Sequence, residues 1–205
     1  MIHGVAERLS SVFVRNGTIT EDEQDLYSYG LELLISNIVG VAAALAIGII
    51  LGNLIGAVIF LLAFIPVRTY AGGLHAKNNF FCIMSMSVNM LLAFAIYLFL
   101  QKYIGIVSLC LMIPAAVATY IIAPSESENK PLTEREKSRN KKLSTTIFSI
   151  ESIIGLILLL ISTFTNADLS DSYSFVFLGM YSAFISMAVS HIFEKRRKNH
   201  EEQCY

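Results

Sequence analysis

The sequence predicts an all-α, polytopic membrane bundle of about six transmembrane helices, preceded by an amphipathic interfacial helix. Three observations carry this prediction. Of 205 residues, 55% are hydrophobic and only 15% charged, whereas a soluble domain coats its surface with about 25% charged residues. The apolar residues gather into separate runs near the length needed to cross about 30 Å of hydrocarbon. Polar and basic residues collect between those runs. The formal net charge of −1 gives no footprint for nucleic acid, and none is expected as a partner.

In chain order, Ile2, Val5, Leu9, Val12 and Phe13 recur at helical spacing, predicting an interfacial helix. Asn16-Gly17 ends it. Thr20 followed by Glu23 reads as a capping box opening the helix that feeds the first span. The first thirty residues do not have the form of a secretory signal, so membrane targeting is expected to come from the spans. Leu33–Leu51, Ile83–Leu100, Ile104–Ala123, Ile147–Phe164 and Phe175–Phe193 are predicted to cross. Leu54–Val67 is shorter and runs into Arg68, which fits a short span, a tilted hairpin partner or a re-entrant segment.

These runs divide one membrane domain, 1–205, into interfacial N-terminal helices (1–30), four spans (31–123), a cytoplasmic loop (124–146), two spans (147–193) and a basic tail (194–205). The 124–143 stretch mixes both charge signs and is expected to be solvated, with helical character after Pro131. Six crossings place both termini on the cytoplasmic side, because only Lys102 of the fifteen basic residues then falls outside. Gly40, Ala44 and Gly48 are expected to face lipid and permit close contact with a second copy.

One inter-span segment carries chemistry: Arg68-Thr-Tyr-Ala-Gly-Gly-Leu-His75-Ala-Lys-Asn-Asn-Phe-Phe-Cys82. A thiol attacks only as thiolate, which a nearby base or a helix N-terminus favours. Asn78 and Asn79 are suitable N-caps, placing Cys82 in the first turn of the third span. His75, seven residues earlier, would stand about 10.5 Å away along one continuous helix. A Cys82–His75 dyad therefore needs a break, and Gly72-Gly73 and Asn78-Asn79 supply places for one. Each residue also has an ordinary reading, packing for Cys82 and solvation for His75.

The other cysteines read as inert, Cys110 in mid-span and Cys204 in the tail. No metal-binding pattern is present and no metal or cofactor is expected. His3, His191 and His200 have no evident partner in the sequence. Arg68 suits a substrate carboxylate or an interfacial anchor. Gly72 and Gly73 suit a turn or backbone donors to an oxyanion. Lys130 suits an acidic substrate segment, although topology alone also explains positive charge there. Glu151, early in the fifth span, is expected to pair with a base or snorkel to the interface. A small transporter or permease is the alternative, favoured by Asn37, Asn89 and Glu151, but the duplicated halves of repeat transporters are lacking.

The stretch containing Arg68, Gly73, His75-Ala76 and Cys82 resembles the signature of the AgrB (accessory gene regulator protein B) family. These are membrane endopeptidases of Gram-positive quorum-sensing systems. Ala123-Pro124 and Lys130-Pro131 resemble the family's later cytoplasmic loop, and the likeness extends over nearly the whole chain. The resemblance implies a bacterial cell-membrane cysteine endopeptidase acting on an AgrD-like propeptide, with Cys82 as nucleophile and His75 as base. It implies removal of an acidic tail through a thioester acyl-enzyme, then cyclisation of the signal segment to a thiolactone or lactone. It also implies a homodimer.

Overall fold

The computed structural model describes residues 2–72, 79–124, 133–165 and 167–202, without the side chains of 79–82, 193–195 and 197–202. Among these residues the helices are α1 (Ile2–Arg15), α2 (Gln24–Ile50), α3 (Leu54–Ala71), α4 (Asn79–Leu100), α5 (Ile104–Ile122), α6 (Glu134–Thr165) and α7 (Ser170–Glu202). Helices α2 to α7 are each long and apolar enough to cross a membrane. The all-α polytopic bundle with an N-terminal helix is the architecture found.

Helix α1 ends as its residue types dictate. Gly17 adopts φ +67°, and the Thr18 N–H returns to the Phe13 carbonyl at 2.9 Å, closing the last turn through a left-handed residue. The Thr20 N–H and hydroxyl both reach Glu23 Oε2, at 3.0 and 2.9 Å, forming the expected capping box ahead of α2. Helix α1 packs on α2 and buries Ala6 and Ser10, while Val5, Leu9 and Val12 stay exposed. His3 does have partners: Nε2 lies 3.4 Å from Glu7 and Nδ1 lies 3.6 Å from Glu32 on α2. Glu7 is four residues along the same helix, a spacing readable in the sequence, whereas Glu32 is brought in by the packing of α1 on α2.

The small residues of α2 also face differently from expectation. A Cβ at Gly40 would meet Met86 Sδ of α4 at 3.0 Å, and one at Gly48 would meet Ala57 Cβ of α3 at 2.3 Å. Gly40, Ala44 and Gly48 are buried within this chain. They let α2 approach its own neighbours, the use to which membrane bundles commonly put small residues.

The segment of uncertain length, Leu54–Val67, belongs to one unbroken helix. Helix α3 has 18 residues, about 27 Å at 1.5 Å per residue, and continues past Pro66 to Ala71. Asn53 caps it by accepting the Gly56 N–H at 2.7 Å.

Helices α3 and α7 form the centre: 44% and 56% of their apolar stretches are buried, against 22% in each other span. Phe60, Phe64 and Val67 of α3 meet Phe175, Phe177, Met180 and Met187 of α7 in the core, with Met90 and Phe148 from α4 and α6. Gly179 permits this approach, since a Cβ there would lie 2.6 Å from the Phe60 carbonyl oxygen. Lipid tails are as apolar as leucine, so tight packing rather than water exclusion holds such helices together.

At the end where α2 meets α3, Asp171 joins three elements. Its Oδ2 accepts from Asn53 Nδ2 at 2.7 Å and its Oδ1 accepts from the Tyr97 hydroxyl. The Phe175 ring, one turn along α7, lies 4.9 Å from Phe94 and 5.0 Å from Tyr97, centre to centre.

Helix α6 begins at Glu134, well ahead of the hydrophobic run at Ile147. Thr133 and Glu136 cap it reciprocally: the Thr133 N–H donates to Glu136 Oε2 at 2.9 Å, and the Glu136 N–H donates to Thr133 Oγ1 at 3.3 Å. The expected helical character after Pro131 is therefore a true extension of the span. Helix α7 likewise continues beyond Ile192 to Glu202 through the basic stretch.

Candidate active site

Helix α3 delivers the chain to the candidate site. Arg68 sits in its last turn, half-buried, with its guanidinium carbon 5.4 Å from the centre of the Phe64 ring. Gly72 follows with φ +80°, a conformation that a side chain would strain. Gly73 and His75 lie in 73–78 and Lys130 in 125–132, outside the described residues.

Helix α4 starts at Asn79, so Cys82 is in its first turn, as the capping signal predicts. Backbone N–H groups in a first turn lack intrahelical acceptors, and the positive end of the helix dipole favours an anion there. Neighbouring residues fix this end of α4. The Cα of Ile83 would stand 3.9 Å from a Cβ at Gly40, and Met86 packs on the same glycine. The backbone beside Cys82 is thus seated on α2.

The other sequence candidates are dispersed. Cys110 is exposed on α5, and His191 is exposed near the far end of α7. Cys204 lies outside the described residues and the His200 side chain is not described. Glu151 neither snorkels nor pairs with a described base. Only 8% of it is exposed, and its Oε2 has no hydrogen-bond partner among the described residues. The Asn53–Asp171–Tyr97 cluster was missed by sequence reasoning. Its one sequence signal was Asn53 following Gly52, a turn-and-cap pair.

The family model for Accessory gene regulator B matches residues 6–191, a range that includes all of α3, the segment up to Cys82 and the rest of the span bundle. The chain belongs to the accessory gene regulator B family. Its similarity extends to a Clostridium perfringens (strain 13 / Type A) protein described as AgrB-like protein 2, 26% identical over 163 residues, covering 75% of this chain and 73% of that one. A second AgrB-like protein, from strain SM101 of the same species, is 23% identical over 164 residues and 77% of each chain. A third, from Listeria innocua, is 25% identical over 158 residues and 76% of each chain. No solved structure matches. Family membership associates this multi-pass membrane protein with quorum-sensing propeptide processing.

Proposed function

We propose that the chain is a membrane-embedded cysteine endopeptidase that removes the C-terminal tail of an AgrD-like propeptide and promotes cyclisation of the remaining signal segment. The observation that carries this reading is the position of Cys82 in the first turn of α4, directly after the connection from α3. A helix start lowers the cost of forming a thiolate, and a histidine seven residues upstream supplies the base.

In this mechanism His75 takes the Cys82 proton as sulfur attacks the carbonyl carbon at the signal–tail junction. The C–N bond breaks, the proton passes to the departing amine, and the signal segment remains as a thioester on Cys82. A hydroxyl or thiol within the bound segment then attacks the thioester carbonyl. The ring closes as lactone or thiolactone, and the nucleophile's proton returns to the Cys82 sulfur. The thioester keeps acyl energy that hydrolysis would discard, so the site should exclude water while admitting the substrate's own nucleophile.

Supporting roles follow from chemistry. Arg68 suits a carboxylate of the substrate tail, because guanidinium pairs with planar anions in a fork. Gly72 and Gly73 allow backbone to approach the scissile carbonyl, and Lys130 attracts the acidic tail. The reading places the site and both termini on the cytoplasmic side of a bacterial cell membrane, in a single membrane domain, acting as a homodimer. Co-expression with the propeptide and detection of the released tail is the test. Cys82→Ala should abolish tail release and the acyl-enzyme adduct while leaving membrane insertion intact. Undiminished tail release by Cys82→Ala would overturn the assignment, and a transporter would tolerate the change.

A further inference from the structure

Ser36 of α2 is fully buried, and its Oγ has no hydrogen-bond partner among the described residues. A helical serine commonly bonds back to a carbonyl three or four residues earlier, as Ser87 does to Ile83 and Ser144 to Lys141. Ser36 does not. A buried hydroxyl left unpaired is costly, and it marks a donor that a reacting or bound atom completes.

Packing on either side fixes its level. Ser36 belongs to the buried stripe that continues through Gly40, Ala44 and Gly48. One turn along that stripe, a Cβ at Gly40 would lie 3.0 Å from Met86 Sδ and 3.9 Å from the Ile83 Cα of α4. Helices α2 and α4 run in the same direction, because Asn53, just after α2, and Tyr97, near the end of α4, both bond to Asp171. One turn back from Gly40 is Ser36, and one turn back from Ile83 and Met86 are Asn79 and Cys82. The serine therefore stands level with the first turn of α4. Antiparallel α3 gives the same answer. From the Gly48–Ala57 contact, about three turns back along α2 and forward along α3 bring Ser36 level with the last turn, which carries Arg68. Since Gly40 lets the α4 backbone come so close, the adjacent turn suits a side chain as short as serine.

Resting on the reading of Cys82 as nucleophile, we propose that Ser36 is a positioning residue whose hydroxyl donates a hydrogen bond to the Cys82 sulfur in its anionic form. The start of α4 offers its own N–H groups and dipole along the helix axis. Ser36 adds a donor from the flank, in a place closed to solvent. His75 removes the proton, and the serine holds the anion that remains. A hydrogen bond to a charged acceptor is about twice as strong as one between neutral groups, so this contact favours the thiolate over the thiol.

The experiment uses the full chain in lipid vesicles, with Cys110→Ala and Cys204→Ala so that Cys82 alone reports. Iodoacetamide labelling is followed across pH without any propeptide. Ser36→Ala fills nearly the same volume and should move the labelling profile about one to two pH units upward, the size expected when a donor to a charged group is lost. Ser36→Thr keeps the hydroxyl and should retain most of the parent profile. Ser28, about two turns nearer the start of α2, also carries a buried, unpartnered hydroxyl, and Ser28→Ala should leave the profile unmoved. Tail release from a propeptide should follow the same pattern: Ser36→Ala should be about tenfold slower on the acid limb of the pH–rate curve and converge with the parent at high pH.

An unmoved labelling profile in Ser36→Ala overturns the proposal, even if its melting temperature falls, since packing alone would then account for the serine. Equal shifts in Ser36→Ala and Ser28→Ala overturn it too. A shifted profile in a protein whose parent releases no tail overturns the peptidase reading and leaves the Ser36–Cys82 contact standing.

Discussion

Tyr97 and Asp171 tie α4 to α7 at the end of the bundle remote from Cys82. The phenol donates to one carboxylate oxygen while Asn53 donates to the other at 2.7 Å. Two donors on one acid join the α2–α3 turn, α4 and α7. Asp171→Ala should therefore cost about 3 kcal/mol, since hydrogen bonds to charged groups are worth about 1.5–3 kcal/mol each. Tyr97→Phe should cost about half as much. Thermal unfolding of the purified protein in detergent checks both, and equal stability of all three proteins would dismiss the clamp.

Under the proposed mechanism, thiol labelling should separate Cys82 from the remaining cysteines. A water-soluble alkylating probe should modify Cys82 at a pH well below that needed for Cys204, and His75→Ala should remove the advantage. Cys110, exposed on a membrane span, should react mainly with a lipid-soluble probe. Parallel pH profiles for Cys82 and Cys204 would argue against an activated nucleophile.

Glycine positions give a contrast in packing. Gly179→Ala puts a methyl group against the α3 backbone and should cost about 1–3 kcal/mol, the usual range for overpacking. Gly4→Ala meets nothing within 4 Å and should stabilise α1 by about 0.5 kcal/mol through a less flexible unfolded chain. The midpoints of heat denaturation should move in opposite directions.

Asp168 provides a pH-dependent readout near the start of α7. Its carboxylate accepts from the Ser170 hydroxyl at 2.6 Å and from the Ser170 N–H at 3.4 Å, which holds its pKa below the usual carboxylate value. A group whose folded pKa is depressed adds stability above its unfolded pKa and loses it as pH falls through the folded one. Amide protection at Ser170 and Asp171 should thus be constant near neutrality and decline below the ordinary carboxylate range. Asp168→Ala should abolish that decline in hydrogen-exchange measurements.

The spans were legible because hydrocarbon imposes a length that the apolar runs must meet, and Leu54–Ala71 meets it once Arg68 to Ala71 are added to the helix. The starts of α2 and α4 were legible from Thr20–Glu23 and from Asn78-Asn79, residue types that favour helix starts. The extensions of α6 and α7 were harder to read, since their charged residues suit helix and solvated loop alike. The inward packing of Gly40, Ala44 and Gly48 could not be read, because a lipid-facing surface and a protein-facing surface in a bilayer share one composition. The Glu32 contact of His3 and the burial of Glu151 depend on how separate helices align, whereas Glu7 beside His3 and Phe64 beside Arg68 lie one turn away in their own helices. At the candidate site, local signals placed Cys82 on its helix and predicted a turn near Gly72.

The early start of α6 gives the molecule an uneven profile. From Glu134 to Ser144 the helix extends by about 15 Å before the apolar run is fully engaged, and α7 overruns its own apolar stretch at that same end. At the opposite end, α2–α3 and α4–α5 are joined by tight turns of a few residues. A protease added to sealed vesicles should find cleavable arginines and lysines on the protruding end and few on the flush one. Digestion before and after permeabilisation would therefore report which way the protein is inserted.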